Sequence, residues 1–244
     1  MWSGPRNLST AMMRAFGNRP DTAVIDEPFY AAYLARTGVD HPLRAEVLAA
    51  CESDPDRVAQ ALAGPVPGGA AIFYQKHMTH HMLAGFDLGW MDRCRHAFLI
   101  GAPERVLASY AARRAEVELA DIGFVRQAEL FDQISNRDGR APPVIDAEDV
   151  LADPARTLGA LCAALDIAFD PAMLAWPAGR RATDGVWAPV WYKAVERSTG
   201  FGRTSEQPIK LDHRLEAIAA KARPIYERLA KQKLWALRPK KGWV

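Results

Sequence analysis

Residues 1–10 read Met-Trp-Ser-Gly-Pro-Arg-Asn-Leu-Ser-Thr, and a helix-forming stretch over residues 11–16 follows at once. A small turn carries the cation Arg6, and the hydroxyls of Ser9 and Thr10 fall in the predicted first turn of the helix. The start of a helix presents free N–H groups and the positive end of its dipole, which favours a bound phosphate or sulfate. An ordinary capped helix fits the same residues. The Gly-x4-Gly-Lys-Ser/Thr loop is absent, so the pattern does not indicate an ordinary ATP or GTP site.

Strand-like and helical segments alternate along the first two-thirds of the chain. This alternation is typical of an α/β protein with a mostly parallel sheet covered on both faces. Only two residues precede the opening loop, so either the first strand is very short or the true start lies upstream. Strands are predicted over residues 22–26, 70–75, 96–100 and 143–146, and helices over residues 11–18, 27–34, 42–51, 55–63, 103–114, 121–136, 153–165 and 211–237.

Ligands bind beyond the carboxyl ends of the strands in such sheets. Residues 4–10, 26–27, 76–77 and 101–103 follow predicted strands, so we expect them to converge at one edge.

Composition narrows the class of protein. The 244 residues are 49% hydrophobic and 25% charged, which predicts a single globular domain over residues 1–244. A net charge of +2 does not favour nucleic-acid binding, and the basic residues 238–241 are interpreted as a solvated tail. No apolar run reaches the roughly 18 residues of a membrane span, and no signal peptide is recognised. Three widely spaced cysteines favour a reducing compartment, so we expect a cytoplasmic protein.

Several segments together resemble the sulfotransferase superfamily, most closely its bacterial and plant-associated members with a Pro-Arg-x-x-Ser-Thr loop. Some of those members carry aminotransferase-like names. The resemblance spans about residues 3–210 and depends on the order and spacing of the segments. It implies a three-layer sandwich of the P-loop NTPase-like type that binds 3′-phosphoadenosine 5′-phosphosulfate (PAPS). The matching segments are Ser3-Gly-Pro-Arg-Asn-Leu-Ser-Thr10, Asp26-Glu-Pro-Phe-Tyr30, Phe98-Leu-Ile-x-x-Pro-x-x-Val-x-x-Ser-Tyr110 and Val144-Ile-Asp-Ala-Glu-Asp-Val-Leu-Ala-Asp-Pro154.

The resemblance implies that the opening loop holds the 5′-phosphate end of PAPS. A guanidinium and backbone N–H groups suit an oxyanion. The residues placed there by position are Arg6, Asn7, Leu8, Ser9 and Thr10.

The segment over residues 101–109 would hold the 3′-phosphate, but this chain departs from the family there. The family motif begins with an arginine after Phe-Leu-Ile, and this chain has Gly101, although Ser109 is kept. Arg105 is four residues from Ser109 and shares its helix face. We therefore hypothesise that Arg105 supplies the missing cation, and the alternative is that Arg105 is an ordinary solvated residue.

A late segment rich in glycine and aromatic residues is expected to be ordered. The superfamily closes a loop over the donor near this place, and an ordinary flexible loop fits the same residues. Glycines allow close backbone approach to a ligand, and Arg203 is placed to meet a phosphate. The aromatic side chains are expected to stack on adenine or line the acceptor pocket, with at least one packed in the core. The residues concerned are Gly200, Phe201, Gly202 and Arg203, preceded by Trp187, Trp191 and Tyr192.

Sulfuryl transfer needs a general base and cations over the reacting oxygens, and positioning supplies most of the catalysis. His77 is the favoured base, because it resembles the histidine of the Lys-x-His that follows a strand in cytosolic sulfotransferases, one residue closer. Glu27 is the second candidate, and it also fits the first turn of a helix before Pro28. Lys76 is expected to neutralise the transferring group or to be a surface lysine.

A metal site is not expected. His77, His80 and His81 have a spacing that permits metal ligation, but no nearby acid or cysteine completes the set.

The sequence therefore favours a PAPS-dependent sulfotransferase that acts on a hydroxyl or amine of a small acceptor. The alternatives are a P-loop-type kinase and a non-catalytic descendant that binds a nucleotide or nothing, the latter suggested by Gly101. Residues 30–65 and 115–135 are expected to supply the acceptor pocket. No pattern in the sequence predicts the oligomeric state.

Overall fold

The computed structural model describes residues 1–114, 116–203 and 208–234. Its centre is a parallel sheet of five strands in the order β2-β3-β1-β4-β5. The inner strand β4 is a short apolar run and is buried throughout, which is typical of parallel sheets covered on both faces. The strands are β1 (Trp2–Ser3), β2 (Thr22–Asp26), β3 (Ile72–Met78), β4 (Phe98–Ile100) and β5 (Val144–Asp146).

Helices cover the sheet and carry the chain between parallel strands, so the predicted α/β class with a mostly parallel sheet is confirmed. Apolar side chains of the helices and strands form three buried clusters. The helices are α1 (Ser9–Gly17), α2 (Tyr30–Thr37), α3 (Arg44–Ala50), α4 (Pro55–Ala63), α5 (Pro103–Ala111), α6 (Phe124–Asp138), α7 (Ala147–Ala152), α8 (Pro154–Ala164), α9 (Ala188–Trp191), α10 (Lys193–Glu196) and α11 (His213–Ala230).

The first strand is only two residues long, yet it lies at the centre of the sheet. It pairs with β3 on one side and β4 on the other. Trp2 is buried, stacks on His77 of β3 and donates from its indole N–H to His96 Nδ1 at 3.1 Å, so its side chain holds this short strand as well as its backbone does. The loop that follows β1 therefore starts from the middle of the carboxyl edge.

Two predicted boundaries differ from the structure at places that matter for the site. β3 continues through Met78 because it pairs with β2 up to the partners Asp26 and Lys76 and then with β1. Lys76 and His77 thus lie within the strand rather than after it. α2 begins at Tyr30, because Glu27 takes a left-handed conformation with a φ of 43°.

Some predictions concern residues outside the described ranges. The basic residues 238–241 and the last part of the predicted C-terminal helix are not among the described residues. No helix in the described ranges is both long and apolar enough to span a bilayer. The cytoplasmic location and the single domain stay predictions.

Candidate active site

A cavity of about 330 Å³ lies at the carboxyl edge of the sheet, where the sequence predicted that the loops converge. Its lining comes from the loop after β1, the ends of β2 and β3, the turn after β3, one residue each from α2, α5 and the segment before α3, and residues 191–202. We call residues 184–203 the late segment. The lining includes predicted site residues, namely Arg6, Asn7, Leu8, Ser9, Thr10, Glu27, Lys76, Gly200 and Gly202. It also includes side chains to which the sequence gave no specific role, namely Tyr30, His41, Met78, Tyr110, Ala194, Val195 and Ser198.

The loop after β1 reaches α1 through two left-handed residues. Arg6 has a φ of 58° and Leu8 a φ of 55°, a conformation that side chains other than glycine rarely adopt. The Asn7 amide donates to the Leu99 carbonyl at 2.9 Å and ties the loop to β4. Among the described residues, no side chain caps the first turn of α1. The first N–H groups of α1 therefore begin at the cavity wall without an intrahelical acceptor.

Arg6 is a partly buried cation that faces the cavity. Its guanidinium donates to Ser109 Oγ at 2.9 Å and to the Trp191 carbonyl at 3.2 Å. Burial lowers the pKa of Arg6, and the positive charge of Arg113 adds to the effect. No carboxylate of the described residues lies within ion-pair distance of it. Arg6 thus lacks a counter-ion on the side where the cavity opens.

Gly101 is required by the position of Asn7. A Cβ atom at residue 101 would lie 2.2 Å from Asn7 Oδ1, far inside van der Waals contact. An arginine at this position would displace the side chain that anchors the loop. The absence of the family arginine is therefore part of how this loop packs.

Arg105 pairs with a carboxylate in this structure. Its Nε donates to Glu148 Oε1 at 2.8 Å, and Arg105 is absent from the described cavity lining. The hypothesis that Arg105 replaces the missing cation therefore stays a prediction, and the structure adds Arg6, whose guanidinium contacts Ser109, as a second cation near that place.

Lys76 is the most deeply buried charge of the site. Its ammonium donates to Asp26 Oδ1 at 2.8 Å, to Glu27 Oε1 at 2.5 Å and to the Tyr192 hydroxyl at 2.7 Å. Burial alone would lower the pKa of Lys76, but the two carboxylates more than offset it and raise the pKa. An ammonium has three protons, and each has a partner here. Lys76 is therefore not a surface lysine.

Tyr192 brings the late segment into this network. Its hydroxyl donates to Asp26 Oδ2 at 2.6 Å and accepts from Trp187 Nε1 at 3.0 Å. Burial and the two nearby carboxylates raise the pKa of Tyr192 well above its usual value, so it stays protonated. Trp187 is buried beside it, as expected for at least one aromatic of this segment, and half-buried Trp191 lines the cavity.

Glu27 has one oxygen fixed and the other available. Oε1 accepts from Lys76, while Oε2 lies 3.8 Å from Nδ1 of His81. Burial raises the pKa of Glu27, and Asp26 adds to this effect against the lowering influence of Lys76. The strained backbone at Glu27 is tied by its N–H to the Lys76 carbonyl at 2.9 Å. Glu27 is thus a rigidly held carboxylate at the cavity wall.

His77 lies in the core instead of the cavity. Side chains alternate along a strand, so Lys76 and Met78 face the cavity while His77 faces the other way. The imidazole stacks on Trp2 with ring centroids 4.5 Å apart, and burial lowers its pKa well below the usual value. The prediction of His77 as the base needs correction, because its ring does not reach the site.

Three other histidines form one wall of the cavity. His81 stacks on Tyr30, with ring centroids 4.5 Å apart and nearly parallel planes, and burial lowers its pKa well below the usual value. Burial lowers the pKa of His41 to about 4 and that of His80 to about 3, so these imidazoles are neutral near pH 7. In the part of the chain that is described, no set of three potential ligands is arranged to hold a metal ion.

The late loop lies across the cavity with its glycines inward. Gly200 and Gly202 line it, whereas Phe201 packs edge-on against Trp176 with centroids 5.1 Å apart. The Trp176 N–H donates to the Thr199 carbonyl at 3.0 Å. The loop is therefore anchored through Trp176, and Arg203 at its end is exposed.

Replacing Gly101 by alanine should destabilise the protein. The added methyl group must displace Asn7, and overpacking of this kind costs about 1–3 kcal/mol. Gly159 is a matched control in α8, since nothing lies within 4 Å of a Cβ there, and Gly159→Ala should stabilise by about 0.5–1 kcal/mol. Urea unfolding of both variants measures the difference, and equal free energies of unfolding would contradict the proposed clash.

Replacing Lys76 by methionine should lower the free energy of unfolding by about 3–5 kcal/mol, because it leaves two buried carboxylates without their cation. Lys193→Met, at an exposed position of α10, is the control and should change stability little. Denaturant unfolding at pH 7 compares them. If Lys76→Met lowered the free energy of unfolding no more than Lys193→Met does, the charge of Lys76 would not hold the network.

Comparison with known proteins supports the resemblance seen in the sequence. A family model described as "Sulfotransferase domain" matches residues 1–233. Two proteins of Arabidopsis thaliana, named branched-chain-amino-acid aminotransferase-like proteins 1 and 2, are 39% and 36% identical over 85% of this chain. The chain spans only 37% and 36% of their lengths, so their names carry no argument about its activity.

A solved sulfotransferase domain from the curacin biosynthetic pathway has a similar fold. It superposes with a TM-score of 0.52 at 16% identity, covering 90% of this chain and 95% of that domain. This likeness supports the arrangement of helices around the parallel sheet. Because the family model matches nearly the whole described length, the chain belongs to the sulfotransferase domain family.

Proposed function

We propose that this protein is a PAPS-dependent sulfotransferase that acts on a small acceptor. The observation that carries the proposal is Arg6, a partly buried cation without a carboxylate partner among the described residues, placed at the start of α1 on the cavity wall. Burying an unpaired cation is costly, so such a site is completed by an anionic ligand. Family membership supports a sulfonate donor, and PAPS is the donor that the residues fit.

The donor's 5′-phosphosulfate end fits the loop after β1. Arg6 and the first N–H groups of α1 are the donors available to its oxygens. The inward glycines of the late loop leave room for the rest of the nucleotide. Ser109, which contacts Arg6, is the remaining polar group of the family's 3′-phosphate motif.

Glu27 is proposed as the general base. As the acceptor oxygen or nitrogen forms its bond to sulfur, the bond between sulfur and the bridging phosphate oxygen breaks, and the electron pair of that bond leaves with 3′-phosphoadenosine 5′-phosphate (PAP). The acceptor proton passes to the available oxygen of Glu27. Lys76, fixed on the other oxygen, holds the carboxylate in position rather than neutralising the transferring group. The acceptor is a hydroxyl or amine of a small molecule.

The kinase alternative finds less support in the structure. Asp26 is the acid that a kinase would use for magnesium, but both its oxygens are engaged, by Lys76 and by Tyr192. A non-catalytic descendant is the other alternative. Thermal shifts separate the nucleotides: PAP alone should stabilise a sulfotransferase, ATP with magnesium should stabilise a kinase, and neither should stabilise a protein without a nucleotide site. Release of PAP from PAPS then separates the enzyme from a descendant that binds PAP without catalysis.

Arg6→Gln should weaken PAP binding, because it removes charge-assisted hydrogen bonds worth about 1.5–3 kcal/mol, or roughly ten- to a hundredfold in affinity. Arg105→Gln should leave the affinity within twofold, since that side chain is paired with Glu148 outside the described cavity lining. Calorimetric titration with PAP tests both variants. A larger loss of PAP affinity in Arg105→Gln than in Arg6→Gln would show that Arg105, and not Arg6, is the main cation for PAP.

Glu27→Gln should reduce the release of PAP from PAPS at least 100-fold, because general bases contribute about 10²–10⁴-fold, and leave PAP affinity unchanged. In the wild type, Glu27 acts as a base only when ionised. Its pKa is raised, so activity should fall with decreasing pH at a midpoint above 4.5, the usual value. Glu148→Gln, in a half-buried pair whose residues do not line the cavity as described, is the control. Full activity of Glu27→Gln would exclude this base.

A further inference from the structure

A second hollow lies beside the cavity and shares one wall with it. Its volume is about 740 Å³, and it is open to solvent. Among the described residues, His41 lines both spaces, so the two adjoin at this residue. The hollow is built from the start of α3 and the segment that follows α5, and it is lined by Asp40, His41, Pro42, Leu43, Arg44, Ala45, Glu46, Arg114 and Glu116.

Two arginines of this hollow, Arg44 and Arg114, have long hydrogen bonds to neutral partners. Arg44 donates to the Leu34 carbonyl at 3.4 Å, and its Nε is buried without an acceptor. Arg114 donates to the Asp40 carbonyl at 3.3 Å. Both side chains are half-buried, and among the described residues neither forms an ion pair with a carboxylate. Guanidinium groups in this state suit an oxyanion, which they bind through paired N–H donors.

His41 supplies an independent sign that the wall is incomplete. Its Nδ1 lies 2.8 Å from the Tyr30 hydroxyl, while its Nε2 has no hydrogen-bond partner in the described ranges although the residue is 94% buried. Unpartnered buried polar atoms are uncommon in native proteins. Leu43, next to Arg44, is held at a φ of 62°, so the backbone that presents Arg44 is strained.

The acidic residues around the hollow do not neutralise these arginines. Glu116 pairs with Arg214 at 2.7 Å. Asp40 and Glu46 are exposed, where water and salt screen their charges. The half-buried guanidinium groups therefore keep most of their attraction for an anion.

We propose that this hollow is an oxyanion-binding subsite formed by Arg44 and Arg114, and that it anchors the carboxylate or phosphate group of the acceptor. The hydroxyl of the same molecule then passes His41 and reaches Glu27 in the adjoining cavity. The anchoring role depends on the proposed function, whereas the binding of an anion by the hollow does not. The acceptor class is thus a small hydroxylated molecule that also carries an anionic group.

The experiment titrates inorganic phosphate, and separately acetate, into protein in which anion binding at the loop after β1 is blocked or weakened. The loop is blocked in wild type saturated with PAP, and it is weakened in Arg6→Gln. In each, Arg44→Gln and Arg114→Gln are compared with Arg57→Gln, an exposed arginine of α4. Calorimetry gives the affinities, and thermal unfolding confirms that each variant folds. The acetate and phosphate arms distinguish a carboxylate anchor from a phosphate anchor.

We expect at least one of the two anions to bind in both backgrounds, with an affinity at least tenfold lower in Arg44→Gln and Arg114→Gln and unchanged in Arg57→Gln. The subsite is refuted by the absence of binding, or by binding that neither arginine affects. If PAP fails to bind the wild type while the Arg44-dependent binding persists in Arg6→Gln, the subsite stands and the proposed sulfotransferase function fails. The two conclusions are therefore tested separately.

Discussion

The buried ammonium of Lys76 organises the carboxyl edge of the sheet. Lys76 and Asp26 are register partners in neighbouring parallel strands, so the pairing of β2 with β3 brings the two charges together. Glu27 follows Asp26 and meets the same ammonium, and Tyr192 completes the set from a distant part of the sequence. Removing such charges from water is costly, and only the full set of partners offsets the cost. The cavity wall is therefore rigid where the proposed chemistry needs a fixed carboxylate.

A second buried ion pair fastens the late segment to the first helix. Arg14 of α1 contacts Asp184 with both terminal nitrogens, at 2.6 and 2.7 Å, and both side chains are almost completely buried. The N–H of Gly185, the next residue, donates to Asp26 Oδ2 at 3.3 Å. The segment is thus fixed at its start by Arg14 and further along by Tyr192.

This attachment also positions the cation of the opening loop. The Trp191 carbonyl, one residue before Tyr192, accepts a hydrogen bond from Arg6. Arg6 is consequently held by the late segment on one side and by Ser109 on the other. A cation held in this way needs little reorganisation when an anion arrives, which is the condition for effective electrostatic stabilisation. The late segment therefore positions both Arg6, which is proposed to bind the sulfonate donor, and Glu27, the proposed base.

Short stretches of sequence predicted the features of the fold that such stretches determine by themselves. Alternating apolar and helical segments predicted the α/β class, and the turn before Ser9 predicted the start of α1. His77 was misplaced because β3 was predicted to end at residue 75, whereas pairing with β2 and β1 carries it to Met78. Once a strand includes residues 76–78, alternation puts Lys76 and His77 on opposite faces.

Contacts between distant residues could not be predicted in this way. Asn7 and Gly101 are 94 positions apart, and only the fold shows that the Asn7 side chain occupies the space that a side chain at residue 101 would need. The bond from Tyr192 to Asp26 spans 166 positions. The aromatic content of the late segment indicated order, but it did not indicate which ring would pack in the core and which hydroxyl would meet a carboxylate. A network of this kind is a property of the tertiary structure.

The two cations of the cavity have different electrostatic states, and this difference defines their parts in the proposed function. Lys76 has all three protons bound within the protein and is matched by two carboxylates, so it has no donor left for a ligand. Within the described part of the chain, Arg6 has neutral partners only, and it remains attractive to anions. In an enzyme with this arrangement, the donor's charge is met by Arg6 and the N–H groups of α1 rather than by Lys76. The glycine at residue 101 is consistent with this division, because it leaves Asn7 in place to hold the loop that presents Arg6.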